Sequence, residues 1–165
     1  MDSFTDLVRW YHYNSYVRKK YLKTLGELPT TKLRARTGAS FPTTLQIFVH
    51  ILDAYRWWFI FVMEDRLRDY RKLRTRVKSI TQAKRMESET DSLVLNFIGS
   101  QRPADLDRRI SWHEGKKVRS ISLDALLHHM IEEELQHRGE INAVLWQMNI
   151  DPPIIGWDDW IKSAG

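Results

Sequence analysis

The sequence contains no cysteine, only seven glycines and five prolines, and no long hydrophobic run. The absence of cysteine excludes disulfide bonds and thiolate metal ligands, so a metal would have to be bound by His, Asp, Glu or water. The longest apolar run, residues 57–63, is far shorter than the roughly 20 residues that a membrane span needs. The first residues lack the apolar segment of a signal peptide. We therefore expect a cytoplasmic protein without a membrane segment.

The composition is that of a folded protein, with 42% hydrophobic and 28% charged residues and with seven Trp, six Tyr and six Phe. A chain of 165 residues is long enough to bury a core and fits one domain, residues 1–165. The net charge of +5 and the pI near 9.5 permit an acidic partner but do not require one.

An apolar pattern with the period of an α-helix recurs four times along the chain. The four predicted helices are residues 3–25, 40–67, 79–98 and 122–148. The second helix would begin after Ser40 with Pro42 in its first turn, and Ser79 and Gln82 have the spacing of a capping box. Residues 108–122 predict a short β-hairpin before the last helix. The pattern predicts an all-α four-helix bundle with long connections.

Polar residues interrupt the apolar faces halfway along three of these helices. In the fourth helix Glu133 and His137 lie on the inward face, whose predicted members are Leu126, Met130, Glu133, His137, Ile141, Val144 and Met148. His50 interrupts the second helix in the same way, and the first helix is interrupted by Asn14, Ser15 and Arg18. This pattern predicts a polar pocket inside the bundle.

A buried carboxylate is unfavourable unless it is paired or bound to a metal. A divalent cation bound by His50, Glu133 and His137 would compensate Glu133, and it would keep positions open for water or substrate. His129, one turn before Glu133, is the other candidate for the third ligand. The competing interpretation is structural: Glu133 pairs with Arg18 or Arg138, the histidines are ordinary core or edge residues, and residues 129–137 are partly solvated.

Three short motifs lie in the predicted helices. Residues 137–139, His-Arg-Gly, lie in the last predicted helix, and a Pro-containing turn follows at residues 151–153. The segment from Thr43 to His50 is followed by Asp-Ala and Trp-Trp pairs, and the pair Tyr13-Asn14 lies in the first helix. Together these motifs resemble the DinB/YfiT-like family, whose second helix bears a His and whose last bundle helix carries His-Arg-Gly before a Pro-containing turn.

The resemblance implies a four-helix bundle with a metal that is typically held by three His. Two of these positions transfer to His50 and His137, whereas the third is Glu133 and the family's Gln after Arg-Gly is Glu140. The exchange of His for Glu makes the site harder and more negative, which favours zinc or nickel, or manganese or iron, over softer ions. The alternative is a member that has lost its metal and keeps only the fold.

Three further residues have predicted supporting roles around the site. Arg138 would hold a carboxylate beside the metal ligands, and Asp53 would either orient the His50 imidazole or be solvated. Gly139 lies within a helix, where glycine costs roughly 1 kcal/mol relative to alanine. A close approach of another helix is the expected reason.

Members of the family with an assigned activity are similar to metal-dependent thiol transferases, which use a low-molecular-weight thiol. Tyr11, Asn14 and Arg18 would line the mouth of such a site, where Tyr11 and Asn14 would bind the thiol cofactor and Arg18 is suited to its carboxylate. Arg18 and Arg138 are the predicted catalytic residues. The same metal could instead activate water, as in a hydrolase. A small-molecule substrate and a homodimer are implied as well.

Two interpretations from other classes compete with an enzyme. Residues 66–85 contain nine Lys or Arg and one acidic residue, which would suit phosphate contacts, although no nucleic-acid recognition motif accompanies them. A metal-free dimerisation protein is the other alternative, with Trp157 and Trp160 covering either the bundle or a partner.

Overall fold

The computed structural model describes residues 3–73 and 76–164. Within this part of the chain there are seven α-helices and one antiparallel hairpin. The helices are α1 (Ser3–Glu27), α2 (Thr30–Leu33), α3 (Thr44–Arg56), α4 (Leu67–Leu73), α5 (Ile80–Gly99), α6 (Leu123–Gln147) and α7 (Trp157–Ala164), and the strands are β1 (Arg109–Glu114) and β2 (Lys117–Ser122). A π-helical segment, Trp57–Val62, continues α3.

The long helices α1, α3, α5 and α6 form the bundle. Helix α1 packs against α5 and α6, and α3 packs against the same two helices. Their apolar faces meet in a single buried core, which includes Val17, Ile47, Leu52, Val94, Leu126 and Ile141. The predicted helical bundle with a hairpin before its last helix is therefore confirmed.

The predicted second helix, residues 40–67, is wrong at both ends. Thr43, not Ser40, caps α3, because the Thr43 side chain accepts a hydrogen bond from the backbone N–H of Gln46 at 3.2 Å. Pro42 precedes this cap, and its carbonyl accepts from the backbone N–H of Thr37. The chain then leaves the α-helical geometry at Trp57 and begins a separate helix at Leu67.

Helices α5 and α6 begin close to their predicted residues because a serine caps each one. Ser79 accepts from the N–H of Gln82 at 3.2 Å, and Ser122 accepts from the N–H of Ala125 at 3.2 Å, which satisfies N–H groups that have no partner in the first turn. The Gln82 side chain returns to the N–H of Lys78. The second bond of a capping box is thus displaced by one residue.

The hairpin leads into α6, and the C-terminal helix packs against α1. Glu114 pairs with Lys117 across the tight turn, where Gly115 has a φ of +64°, a conformation that glycine adopts readily. The chain is not helical through Pro152 and Pro153, as predicted, and helix α7 follows. Trp157 lies against Trp10 and Tyr13, with ring centroids 5.1 and 4.7 Å apart, so the tail covers the bundle.

One helical stretch, Thr44–Val62, is long and apolar enough by length and composition to cross a membrane. In the bundle, 56% of this stretch is buried by the rest of the protein. Core helices of soluble proteins have the same length and composition, and the stretch also contains His50 and Asp53. The predicted absence of a membrane segment stays a prediction.

Candidate metal centre

Helices α3 and α6 bring His50, Glu133 and His137 together. The Oε1 atom of Glu133 lies 3.2 Å from Nε2 of His50 and 3.2 Å from Nε2 of His137. The two imidazole centroids are 4.6 Å apart with nearly perpendicular planes. One donor atom from each residue lies within 4.8 Å of both others, so the three side chains, hereafter the triad, converge on one point.

The separations in the triad fit a single divalent ion. Tetrahedral ligands at about 2.1 Å from zinc are about 3.4 Å from one another, close to the 3.2 Å between each Nε2 and the carboxylate oxygen. Two imidazoles and one carboxylate are also a donor set that first-row transition metals accept. Because three protein ligands leave a tetrahedral position open, the set suits a catalytic site better than a closed structural site.

Glu140 orients the imidazole of His137 from the side opposite Glu133. The Oε2 atom of Glu140 lies 3.1 Å from Nδ1 of His137, so an Nδ1–H can donate to this carboxylate and leave the Nε2 lone pair directed into the triad. The Ser40 hydroxyl donates to the same oxygen of Glu140. Glu140 stands where the resemblance implies a Gln, and a carboxylate is a stronger acceptor than an amide.

The loop between α2 and α3 covers the triad. Phe41 stacks on His50 with ring centroids 4.3 Å apart and contacts His137 edge-on at 5.8 Å. Ser40 and Phe41 fall at the start of the predicted second helix, residues 40–67, but in the structure both lie in the loop before α3. No periodic signal marks these two residues, because their contacts with α6 are about 100 residues distant in sequence.

The pKa values of His50 and Glu133 are shifted in the directions that favour metal binding. Burial lowers the pKa of His50 despite the hydrogen bond with Glu133, which favours the neutral imidazole. Burial alone would raise the pKa of Glu133, but the hydrogen bond with His50 and the proximity of His137 outweigh it, so this pKa is lowered. The carboxylate is also partly open to solvent, with 25% of its side chain exposed. A neutral imidazole and an ionised carboxylate are the forms that bind metal.

A pocket of about 270 Å³ adjoins the triad. It shares His50 and Glu133 with the triad and is otherwise lined by Asp53, Ala54, Trp57, Trp58, Tyr70 and His129. His129, the alternative third ligand, contacts Trp58 edge-on at 5.7 Å and is not a member of the converging group. The structure therefore places Glu133 with the two histidines and His129 on the pocket wall.

Asp53 is buried, and its carboxylate accepts a hydrogen bond from the Tyr70 hydroxyl at 2.6 Å. The expectation of a solvated Asp53 is therefore wrong. This bond ties α4 to α3 across the pocket, because Tyr70 belongs to α4. The carboxylate also lies close enough to His50 to favour its charged form slightly, although burial has the larger effect on the His50 pKa.

The competing interpretation paired Glu133 with Arg18 or Arg138. In the structure the neighbouring Glu134, and not Glu133, pairs with Arg18. The Glu134 side chain is fully buried, at 0% exposure, and its Oε2 accepts from Arg18 at 2.8 Å and from the Tyr55 hydroxyl at 2.7 Å. Arg18 also binds Asp91 at 2.9 Å. Glu134 was not among the predicted site residues, although Arg138, four residues later, was a usable signal.

The residues predicted to bind a thiol lie inside the bundle. Tyr11 and Asn14 are both 0% exposed and Arg18 is 1% exposed, so the expectation that these three residues line an open mouth is wrong in this structure. The Tyr11 hydroxyl donates to the carbonyl of Leu127 at 3.0 Å, and Asn14 accepts from Arg138 at 3.3 Å. Their roles toward a thiol, and the catalytic roles of Arg18 and Arg138, stay predictions.

The predicted close helix approach at Gly139 is wrong. A Cβ atom added at this position would meet nothing within 4 Å, and the residue lies on the exposed face of α6. Successive residues of a helix point about 100° apart, so Gly139 faces outward because His137 and Arg138 occupy the buried side of this turn.

The basic stretch 66–85 is divided between structural contacts and the surface, and residues 74 and 75 lie outside the described residues. Arg66 pairs with Glu64 at 2.8 Å and with Asp69 at 3.2 Å. Tyr70 lines the pocket. These contacts do not support nucleic-acid binding by this stretch. That the protein has no nucleic-acid partner stays a prediction.

Comparison with curated proteins gave no match. Residues 1–162 match the model of the DinB family. Because this match spans nearly the whole chain and the fold is a helical bundle, the chain belongs to the DinB family.

Proposed function

We propose that this protein binds one divalent transition metal through His50, Glu133 and His137 and acts as a metal-dependent thiol S-transferase. The observation that carries the proposal is the convergence of three donor atoms, from two helices, to within 4.8 Å of one another. Zinc or nickel are the first candidates, with manganese and iron next, because the donor set combines two imidazoles with a carboxylate.

When bound, a divalent cation lowers the pKa of a thiol or water beside it and so supplies a nucleophile near neutral pH. The protein residues prepare the site for that chemistry. The Nε2 atoms of His50 and His137 lie against the same oxygen of Glu133, which contributes negative charge. Glu140 holds the His137 ring, while Phe41 covers the His50 ring. The thiol must come from a small molecule, since the chain contains no Cys.

Metal analysis of the purified protein tests the first part of this proposal. About one transition metal per chain is expected, and changing His50 or His137 to Ala should remove it. His128→Ala is the matched control, because His128 lies on the same helix, is exposed, and has its Nδ1 against the carbonyl of Asp124 at 2.9 Å. A wild-type protein that binds no added zinc, nickel, manganese or iron would overturn the proposal.

The second part is tested by thiol consumption with a panel of electrophiles. Loss of free thiol should depend on the metal and on His137. Metal-dependent ester or amide hydrolysis without thiol consumption would favour the hydrolase, and stable dimers without bound metal would favour the dimerisation protein. A homodimer and a cytoplasmic location stay predictions.

A further inference from the structure

We propose that the pocket beside the triad binds a flat, uncharged ring that forms part of the substrate. The pocket is the one lined by Trp57, Trp58 and Tyr70 together with His129 and two triad residues. The inference rests on the proposed function for its orientation, because the triad would be the reacting end of the pocket.

The walls of the pocket have the geometry that a flat ring requires. The indoles of Trp57 and Trp58 have centroids 4.7 Å apart and planes at 88°, so they form a right-angled corner. A ring in this corner can stack on one indole while it contacts the other edge-on, and both arrangements are favourable for aromatic groups. A flexible aliphatic chain of similar size would use neither.

The π-helical segment explains how two consecutive side chains reach one pocket. In an α-helix neighbouring residues point about 100° apart, whereas the wider π-helical turn reduces this angle. Trp57 and Trp58 are the first two residues of the segment Trp57–Val62. Short π-helical insertions are rare and frequently occur at functional sites, so the corner is a specific local feature.

Neighbouring rings hold the walls in place. Trp58 contacts Trp112 of β1 at 5.3 Å and His129 of α6 at 5.7 Å. Tyr70 contacts Phe61 at 5.3 Å, and its hydroxyl binds Asp53. A wall that is ordered before binding loses little entropy when the ligand arrives, which favours affinity.

The size and charge of the pocket limit its ligand. The volume of about 270 Å³ is just below the usual range for drug-sized ligands, which suits a single small ring system. Aromatic faces also attract cations. However, the divalent cation of the proposed function would offset the charges of Glu133 and Asp53, the two carboxylates that line the pocket, so no net negative charge would be left for a cationic ligand. An uncharged ring is therefore the better fit.

Ligand-observed NMR and calorimetry with indole as the probe test this proposal. Indole should bind the wild-type protein, and Trp58→Leu should weaken that binding by about tenfold, the loss expected for one aromatic contact. Trp58→Phe should restore part of the affinity, because it keeps a ring at the position. Trp146→Leu is the matched control, since Trp146 is 61% exposed at the end of α6 and does not line the pocket.

Trp57→Leu provides a second variant in case Trp58→Leu fails to fold, as judged by circular dichroism. Failure of indole to bind, or equal losses in Trp58→Leu and Trp146→Leu, would overturn the proposal. Tighter binding of benzyltrimethylammonium than of indole would overturn it in favour of a cationic ligand, and tighter binding of hexanol would do so in favour of an aliphatic one.

Paramagnetic Mn²⁺ separates this test from that of the metal centre. In wild-type protein with bound Mn²⁺, the indole signals should broaden, because the pocket shares His50 and Glu133 with the triad. Broadening should be absent in His137→Ala, while indole affinity persists. If no metal binds but indole binding depends on Trp58, the proposed function fails and the ring pocket stands. If Mn²⁺ binds without broadening the signals of bound indole, the orientation toward the triad is wrong.

Discussion

Glu133 and Glu134 are consecutive residues of α6, yet they face different parts of the protein. Glu133 lies between the imidazoles of His50 and His137 and is one-quarter exposed, whereas Glu134 is completely buried against Arg18. A step of one residue turns the side chain by about 100° around a helix axis. The two carboxylates are thereby divided between a candidate metal centre and an ion-pair network that holds the bundle.

This division predicts that two matched substitutions change different properties, one metal binding and the other stability. Glu133→Gln should weaken metal binding by more than the roughly 10- to 100-fold typical of residues that only orient a ligand, with little effect on the stability of the metal-free protein. Glu134→Gln should lower the free energy of unfolding by about 3 kcal/mol, since it breaks a buried ion pair. Metal titration and urea unfolding without metal measure the two effects. Equal effects of both variants on metal binding would contradict the assignment.

Glu140 is predicted to act on the metal through the orientation of His137. Glu140→Ala should weaken metal binding by roughly 10- to 100-fold, whereas Glu140→Gln should retain most of it because the amide oxygen still accepts from Nδ1–H. Isothermal titration with zinc measures both affinities. Ser40→Ala removes a hydroxyl from the same carboxylate and should have the smallest effect. Unchanged affinity in Glu140→Ala would show that the ring is held by other contacts.

Glu133→His should convert the triad into the three-histidine set that the resemblance implies. We expect the variant to keep about one metal per chain, because imidazole is a competent ligand. Loss of the carboxylate should lower affinity for manganese more than for zinc, since manganese prefers oxygen ligands. Competition between the two ions, followed by elemental analysis, measures the ratio. A ratio that does not change would mean that Glu133 is not a ligand.

Glu87 provides a test of pH-dependent stability away from the triad. Burial raises the pKa of Glu87, nearby Arg18 opposes this, and Asp91 adds to it. A raised pKa in the folded state means that ionisation of Glu87 penalises folding, so the stability associated with its protonated form is lost as pH rises. Glu87→Gln should therefore be more stable than wild type at pH 7.

The advantage of Glu87→Gln should shrink as pH falls and disappear below the ordinary glutamate pKa of 4.5, where Glu87 is protonated in both states. Urea unfolding of both proteins from pH 7.5 to the acid limit of the fold measures this difference. Glu89→Gln is the matched control, because Glu89 lies on the same helix with about half of its side chain exposed. An advantage that does not change with pH would contradict the raised pKa.

Much of the fold could be predicted because it depends on local patterns. The period of the apolar residues marks four bundle helices, and Ser79 and Ser122 mark two helix starts through bonds to residues three positions later. The pattern failed at the second helix. There the cap is Thr43 rather than Ser40. The π-helical segment that begins at Trp57 was also not predicted, because the spacing of apolar residues does not distinguish it from an α-helix.

The candidate site was only partly predictable for the same reason. The spacing of Glu133 and His137 is sufficient to put them on one helix face. His50 interrupts the apolar face of another helix, which made it the candidate ligand from that helix. Ser40 and Phe41 lie in a loop without a periodic signal. The buried position of Glu134 depends on the rotation of α6 against Arg18, which neighbouring residues do not determine.

The sequence by itself therefore determined the bundle, the exclusion of thiolate ligands and the placement of Glu133 and His137 on one helix face, because residue type and helical spacing are local properties. Only the tertiary structure decided which glutamate enters the triad, that His129 belongs to the pocket wall and that a loop covers the site. These outcomes depend on how far each helix is rotated and displaced against its neighbours. That rotation is set by the whole core at once.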